Sequence, residues 1–211
     1  MDSAIDKLTT RARAKRDQIR VAAQQLFLER GFANTGTNLI AKEAGVSKET
    51  LYKYFPSKEQ LLADCLRHLI ADVPETKLPI AVGEAHLEDR DDLRAALLDL
   101  ALRFTSNLMQ PDYVALVRVI ITETPRLPRL GILFRSTVPA RAFQSVIDIL
   151  RRAHEKNLVH LSDPETAARM FLGPLLTYVL LDGLFVGDGP PRQPPPDRIE
   201  AVVDLYLRAI T

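Results

Sequence analysis

Five side chains between residues 48 and 53 form the part of this sequence best suited to binding a charged partner. They combine positive charge, hydroxyl groups and one carboxylate: Lys48, Glu49, Thr50, Tyr52 and Lys53. On a short helix they point away from the neighbouring apolar positions and place a large ring among basic residues. Such a helix fits the major groove of DNA and brings its N-terminal side chains to base edges. The alternative is a helical hairpin whose polar face contacts only solvent.

Motifs for catalysis are missing, because the sequence contains no phosphate-binding loop, no HExxH pair and no Gly-x-Ser-x-Gly elbow. His154 and His160 lie six positions apart across a predicted helix end. That spacing is poor for metal ligands, and exposed histidines are the simpler interpretation. The acids between residues 88 and 92 resemble a metal cluster, but acids at a helix start also complement the helix dipole. We therefore predict a protein that is not an enzyme and that uses no metal and no cofactor.

The composition indicates a soluble protein of a reducing compartment. The 211 residues, 46% of them hydrophobic, suit one large domain or a small domain joined to a larger one. The single cysteine, Cys65, excludes an intramolecular disulfide framework and is expected to be a buried, inert thiol rather than a sensor. The N-terminus lacks the apolar core of a signal peptide, and the most apolar stretch, 171–186, contains Pro174 and Asp182. We expect a cytoplasmic protein with no membrane segment.

Charge is unevenly distributed, although the net charge is only +1. Residues 1–72 hold 12 basic and 9 acidic residues, a balance of +3, whereas residues 73–211 hold 16 and 18, a balance of −2. Six basic residues and one acid lie between Lys7 and Arg20. This asymmetry is compatible with a nucleic-acid-binding surface near the N-terminus, and also with a solvated basic tail.

Apolar residues recur with a helical period in nearly every segment, and none alternates like a half-buried strand, so we predict an all-α fold. Ser57, with Gln60 three positions later, predicts a capping box that opens a helix to about residue 71. Residues 73–90 contain two prolines and a glycine and are predicted to be a connection. Longer amphipathic helices follow, and the PPRQPPP segment at 190–196 is predicted to be a stiff loop.

Residues 37–54 have the layout of a helix-turn-helix, with a tight turn at Gly45 between two short helices. Glycine can adopt the positive φ angle that such a turn requires. A preceding helix is predicted to end at Gly31. The apolar residues expected to pack against that first helix are Ile40, Val46, Leu51 and Phe55.

The segments GFANT at 31–35 and IAKEAGVSKETLYKYFPSKE at 40–59 resemble the DNA-binding domain of TetR/AcrR-family transcriptional regulators. The resemblance covers about residues 13–62, and it is specific because several short motifs occur at fixed spacing. The later half resembles the family only in its long helices. The resemblance implies an N-terminal three-helix helix-turn-helix DNA-binding domain followed by a larger helical ligand-binding and dimerisation domain. The implied division is a flexible arm 1–12, a DNA-binding domain 13–56, a connecting helix 57–72 and a ligand-binding and dimerisation domain 73–211.

The resemblance also implies which residues contact DNA. They are Thr37, Asn38, Lys48, Glu49, Thr50, Tyr52, Lys53, Tyr54 and Lys58. The hydroxyls of Thr37, Tyr52 and Tyr54 are expected on phosphates, as is Lys53, and Asn38 could reach a base edge. Lys58 is expected on a phosphate beside the first turn of its helix. Lys48, Glu49 and the Thr50 methyl group are the candidates for reading bases.

Two features near this region leave roles open. Family members commonly have Ser or Thr where this chain has Gly36, so one cap or phosphate contact is lost there. Arg13, Lys15 and Arg16 could reach a flanking phosphate or the minor groove, and a disordered basic tail is equally compatible with their sequence.

A single recognition helix covers one half-site, so a two-fold homodimer on a pseudo-palindromic operator in double-stranded DNA is expected. Residues 163–185 and 197–210 carry more apolar positions than one buried stripe uses, which favours a four-helix bundle with a second copy. The alternative is a helix buried inside one monomer. The resemblance further implies an unknown small-molecule effector. Candidate residues of an apolar pocket, which could equally be ordinary core, are Phe104, Leu108, Ile120, Ile121, Phe134, Phe143, Ile147 and Tyr178.

The expected mechanism is a repressor that an apolar or amphipathic ligand releases from its operator. A ligand that prefers one conformer changes the spacing of the two recognition helices, and a coupling of ~1–3 kcal/mol weakens DNA binding ~5–150-fold. The helix from Ser57 to about Ala71 is expected to carry this coupling. A ligand-independent architectural DNA binder and a transcriptional activator are the alternatives.

Overall fold

The computed structural model describes residues 2–71, 87–136, 138–187 and 189–210, which form helices and loops with no strand. The all-α prediction is confirmed. The helices are α1 Asp2–Arg30, α2 Thr37–Glu43, α3 Lys48–Tyr54, α4 Lys58–Ala71, α5 Arg90–Leu108, α6 Pro111–Glu123, α7 Pro128–Arg135, α8 Val138–Glu155, α9 Pro164–Tyr178 and α10 Pro196–Ile210. A π-helical segment, Val179–Leu184, continues α9.

Local chemistry explains most helix ends in the first part of the chain. Gly31 ends α1 at a φ of +74°, and Gly45 makes the turn between α2 and α3 at +57°, both as predicted. The Ser47 hydroxyl accepts from the Thr50 N–H at 3.1 Å and caps α3. The Ser57 hydroxyl accepts from the Gln60 N–H at 3.2 Å at the start of α4, as the capping box predicts.

The first helix is longer than the outline from the sequence indicates. The sequence predicts a flexible arm over 1–12, and in the structure α1 extends back to Asp2. The physical reason is that no proline or glycine lies between residues 2 and 30 to interrupt it. Of the predicted connection 73–90, residues 73–86 lie outside the described residues, and Arg90 already begins α5.

The chain divides into two compact units. The first comprises Met1–His68 and Leu116–Phe134, and the second comprises Leu69–Ala115 and Arg135–Thr211. These units are defined by compactness, whereas the predicted boundaries at 13, 57 and 73 divide the chain by function. Those boundaries stay a prediction.

The first unit has its core where α1, α2, α3 and α4 meet. Its fully buried side chains include Ile19, Phe27, Ile40, Leu51 and Leu62. Burying one such side chain stabilises the fold by roughly 1.5–3 kcal/mol. The core therefore fixes the direction in which the opposite, polar faces of α2 and α3 point.

The second unit is a helical bundle in which α5 packs on α8, α9 and α10. Its core includes Leu93, Leu97 and Phe171. Arg94 on α5 forms a bidentate pair with Asp204 on α10, at 2.6 and 3.2 Å. In addition, the Tyr206 hydroxyl on α10 donates to the Ala167 carbonyl on α9 at 3.0 Å, so polar contacts join helices that the apolar core already holds. Of the predicted loop at 190–196, residues 190–195 are non-helical, and Pro196 already begins α10.

Candidate DNA-binding surface

The helix-turn-helix is held from beneath by apolar residues of α2 and α3. Ile40, Leu51 and Phe55 are at most 2% exposed, and Val46 in the turn is half-buried. A helix as short as α3 gains most of its stability from such packing rather than from its intrinsic propensity. Its orientation is therefore set by the core, which leaves its other face available.

The outward face of α3 carries the side chains that the sequence predicts. Lys48, Glu49, Tyr52 and Lys53 are exposed, and the Tyr52 ring retains 42% of its accessible surface. The Lys48 ammonium lies 6.0 Å from the centre of that ring. Thr50 is half-buried, and its hydroxyl is hydrogen-bonded to that of Ser47 at 2.9 Å. Its hydroxyl is thus engaged in the cap of α3.

The two helices of the motif are joined on the exposed side by the residues expected to bind phosphate. The hydroxyl oxygens of Thr37 on α2 and Tyr52 on α3 are 3.3 Å apart. Asn38 is exposed next to Thr37, whereas Tyr54 is half-buried. The structure therefore brings the hydroxyls of Thr37 and Tyr52 together and leaves Asn38, the next residue of α2, exposed.

Gly36 occupies the N-cap position of α2, with extended backbone angles of −84° and 150° and no side-chain cap. A Cβ atom added there meets no other atom within 4 Å. The site thus has room for the hydroxyl residue that family members commonly carry.

Lys58 makes a contact that the sequence does not predict. Its ammonium donates to the Phe32 carbonyl at 2.7 Å and lies 4.1 Å from the centre of the Phe32 ring. Burial lowers the pKa of Lys58, while Glu59 and Glu123 act in the opposite direction. In the free protein this side chain connects α4 to the loop that follows α1.

The basic residues near the N-terminus are also partly engaged within the protein. Arg16 pairs with Asp64 on α4 at 2.7 Å, and its guanidinium lies 5.3 Å from the centre of the Phe55 ring. Lys15 donates to Gln18 at 3.0 Å, and Arg13 is exposed. Arg16 therefore has a structural contact, which its place in a basic run gave no means of predicting.

The predicted pocket residues fall in both units. Ile120, Ile121 and Phe134 belong to the first, and the other five, Phe104, Leu108, Phe143, Ile147 and Tyr178, belong to the second. Phe104, Leu108 and Ile120 are buried, and the second-unit residues Phe143, Ile147 and Tyr178 are half-buried. Ile121, one of the pocket candidates, does not point inward, because it is 55% exposed. Adjacent helical positions lie about 100° apart, and Ile120 occupies the inner one.

Exposed apolar side chains of the second unit occur on α9, on its π-helical continuation, directly after that continuation, and on α10. These side chains, which are 42–75% exposed, are Met170, Leu180, Leu181, Phe185 and Leu205. The segment Pro164–Leu184 is, by length and composition alone, apolar enough to cross a membrane, with a mean hydropathy of 1.3. The core helix of a soluble protein passes the same test, and 39% of this segment is buried.

The residues that suggested a metal site or a sensor have ordinary structural contacts. Asp89 accepts from the Asp92 N–H at 2.9 Å, and the Asp92 carboxylate accepts from the Glu88 N–H at 2.8 Å. The acids thus cap α5 reciprocally. Burial raises the pKa of the Cys65 thiol to about 12, and the thiol donates to the Arg20 carbonyl at 3.6 Å. A protonated, buried thiol is a poor nucleophile.

Two family models match the chain. The model of bacterial regulatory proteins of the tetR family matches residues 19–65, and that of the C-terminal domain of AefR-like transcriptional repressors matches residues 95–209. The second match alone covers more than half of the chain and includes α6 to α10.

Solved structures and curated proteins with similar sequences agree with the two family-model matches. A TetR-family transcriptional regulator from Mesorhizobium loti is 27% identical, with a TM-score of 0.72 over 94% of this chain and 96% of its own. The flavonoid-responsive regulator FrrA is 31% identical, with a TM-score of 0.69 over 93% and 96%. The transcriptional activator FasR of Mycolicibacterium smegmatis is 45% identical over 56 residues, or 26% of each chain. The first curated relatives are matched over only 22% to 26% of their own length.

Proposed function

Because the chain belongs to the TetR family of transcriptional regulators, we propose that it is a homodimeric repressor that leaves its operator when a small molecule binds. It is a transcriptional regulator with a DNA-binding domain, and members of this family are not enzymes. We further propose the division into a DNA-binding domain at 13–56, a connecting helix at 57–72 and an effector and dimer domain at 73–211. A cytoplasmic location fits a protein whose partner is DNA.

The exposed polar face of α3 is the observation that carries the DNA-binding proposal. Buried Leu51 and Phe55 anchor the helix, so the outward direction of Tyr52 and Lys53 is fixed before DNA arrives. A preorganised face loses less conformational entropy on binding. Lys48 and Glu49 lie in the first turn of α3, the part of a recognition helix that contacts base edges.

We assign the remaining residues by their contacts. The paired hydroxyls of Thr37 and Tyr52 form one phosphate-binding group, with Asn38 beside it and Lys53 on the same helix as Tyr52. The half-buried Tyr54, at the end of α3, is assigned to a phosphate contact through its hydroxyl. Thr50 offers its methyl group to a base, because its hydroxyl bonds to Ser47. Lys58 is assigned first to holding the Phe32 carbonyl, and phosphate binding there is secondary.

The dimer proposal rests on the apolar side chains of residues 163–185 and 197–210. Large apolar side chains concentrated on one pair of helices are more typical of an association surface than of scattered solvent contacts. Phe185 and Leu181 are 75% and 66% exposed and are the strongest candidates for burial against a second copy. A dimer also explains the apolar character of Pro164–Leu184 without a membrane.

The effector proposal is supported by the similarity to FrrA, a regulator described as responsive to flavonoids. We propose a small apolar or amphipathic effector, with Phe104, Leu108, Phe143, Ile147 and Tyr178 as wall candidates in the second unit. Ile120 and Phe134 belong to the first unit, and their place in an effector pocket stays a prediction. Ile121 is not proposed, because it is exposed. α4 contributes residues to both units, which makes it the candidate for transmitting ligand binding to the DNA-binding face. Activation of transcription is the second candidate function, because FasR is an activator.

Operator binding tests the proposal. DNA from upstream of the gene is incubated with the full chain at two salt concentrations, with excess random DNA as competitor. A complex that survives the competitor and weakens with salt is expected. The logarithm of the binding constant falls linearly with the logarithm of the salt concentration, and the steepness of that line is the salt slope. Lys53→Ala is expected to reduce the salt slope by about 1 and to weaken binding to all sequences similarly.

Lys156→Ala removes an exposed lysine directly after α8 and is the charge-matched control. It is expected to bind as the wild type does. If Tyr52→Ala and Lys53→Ala both leave sequence-specific binding intact, the assignment of α3 is wrong. The same assay with a transcription template distinguishes repression from activation.

A further inference from the structure

Asn107 is a buried residue whose side-chain amide has no hydrogen-bond partner among the residues that the structure describes. The residue is 1% exposed, and neither its Nδ2 nor its Oδ1 bonds to any described group of the protein. Its backbone carbonyl already accepts from the N–H of Gln110 at 3.3 Å, so the end of α5 does not need the side chain. Burying an unpaired amide lowers the stability of a protein, which makes such a residue worth explaining by function.

The position of Asn107 on α5 places it among the residues of the apolar interior. Leu100 and Phe104 precede it by seven and three residues and are both buried, so the three share one helical face. Besides the buried tyrosines Tyr113 and Tyr206, Thr105 is the other buried polar residue among the described residues of the second unit, and its hydroxyl donates to the Ala101 carbonyl at 2.8 Å. Asn107 therefore supplies unused hydrogen-bonding capacity to a largely apolar interior.

An irregular helical segment lies close to the same end of α5. Gly183 belongs to the π-helical segment Val179–Leu184, and a Cβ atom added to it would lie 2.9 Å from the Met109 sulfur. Met109 is two residues beyond Asn107. π-helical turns occur frequently at functional sites. Tyr178, a candidate wall residue, directly precedes this segment.

We infer that Asn107 is the polar anchor of a small-molecule site in the second unit, and that its ligand is an uncharged, largely apolar molecule carrying one hydroxyl or carboxamide group. This inference rests on the proposed effector function. A side-chain amide donates through Nδ2 and accepts through Oδ1. A hydroxyl or carboxamide group on the ligand can form both hydrogen bonds, because each contains a donor and an acceptor. The described residues of the second unit include no buried charged side chain, so a charged ligand would be buried without an ion partner.

Matched aromatic probes test this assignment. The fluorescence of 2-naphthol is titrated with the full chain at neutral pH, and 2-methylnaphthalene and 2-naphthoate are measured in the same way. We expect 2-naphthol to bind about tenfold more tightly than the other two, the effect of a hydrogen bond formed in a dry site. In Asn107→Leu the preference for 2-naphthol is expected to disappear, with the affinity for 2-methylnaphthalene retained.

Two controls separate binding from folding. Gln144→Leu removes an exposed amide from α8 and is expected to keep the preference. Asn107→Leu is expected to melt at or above the wild-type temperature, because it replaces an unpaired buried amide with an apolar group of similar size. A marked drop in its melting temperature would show that the amide stabilises the fold, and the inference would be overturned.

The remaining outcomes are equally decisive. No binding of 2-naphthol, equal affinity for the three probes, or a preference that survives Asn107→Leu would each overturn the inference. The operator assay without any probe tests the proposed regulatory function separately. If the Asn107-dependent preference is found and 2-naphthol leaves the operator complex unchanged, the inference stands and the effector mechanism is refuted for this ligand class.

Discussion

The contact of Lys58 with the loop after α1 gives a prediction that separates scaffold from DNA contact. In the structure its ammonium donates to the Phe32 carbonyl at 2.7 Å, whereas the resemblance to the family implies a phosphate contact. Lys53, by contrast, is exposed on α3. The same substitution at both positions, Lys58→Met and Lys53→Met, keeps the apolar stem and removes the charge.

The expected loss of stability follows from two interactions. A hydrogen bond from a charged donor contributes about 1.5–3 kcal/mol. The ammonium over the Phe32 ring, 4.1 Å from its centre, adds about 0.5–1 kcal/mol. Desolvation of the half-buried ammonium, which lowers the pKa of Lys58, offsets part of this sum. We expect a net loss of about 2 kcal/mol, or a melting temperature lower by about 4–8 °C for a chain of this size.

Thermal melting and DNA binding are measured on the same preparations. Lys58→Met is expected to melt at a lower temperature than the wild type but to retain most of its operator affinity at 10 °C. Lys53→Met is expected to melt within about 1 °C of the wild type and to bind DNA more weakly. The scaffold assignment would be refuted if Lys58→Met melted at the wild-type temperature and its salt slope fell by about 1, the loss of one phosphate contact.

Three further predictions concern the rest of the chain. Leu181→Glu is expected to give monomers in sedimentation velocity and to weaken operator binding, whereas Ile132→Glu, at a similarly exposed apolar residue of α7, leaves the mass unchanged. Tyr206→Phe is expected to lower the free energy of unfolding by about 1 kcal/mol in urea titrations, because the Ala167 carbonyl loses a donor; an unchanged midpoint would contradict this. Burial raises the pKa of the Cys65 thiol from 9.0 to about 12, so the folded state retains a proton that the unfolded chain loses as the pH rises above 9. Stability is therefore expected to fall by about 1.4 kcal/mol between pH 8 and 10, a loss that Cys65→Ala should lack.

The helix-turn-helix could be predicted well because its geometry depends on neighbours in sequence. Gly31 and Gly45 adopt the positive φ angles that their turns require, and Ser47 and Ser57 bond to N–H groups three residues later. Such contacts involve only a few consecutive residues. The fixed spacing of these residues also determines which side of α3 faces away from the core.

Contacts between distant residues could not be predicted in the same way. Arg16 and Asp64 are 48 residues apart, and Lys58 reaches the carbonyl of Phe32, so their partners depend on how the helices pack. The adjacent residues Ile120 and Ile121 are chemically alike, and only the packing of α6 decides which of them is buried. Asn107 gave one sequence signal, a polar residue in line with Leu100 and Phe104, but its lack of a partner is a tertiary property.

A hydroxyl-radical footprint on DNA upstream of the gene tests the central claim most directly. The account predicts two protected patches on one face of the duplex, related by an approximate two-fold axis. Their centres should lie about 10 base pairs apart, or a multiple of that, because two recognition helices enter successive major grooves. Tyr52→Ala should remove both patches together. A single unsymmetrical patch, or even protection along the whole fragment that persists in Tyr52→Ala, would contradict the account.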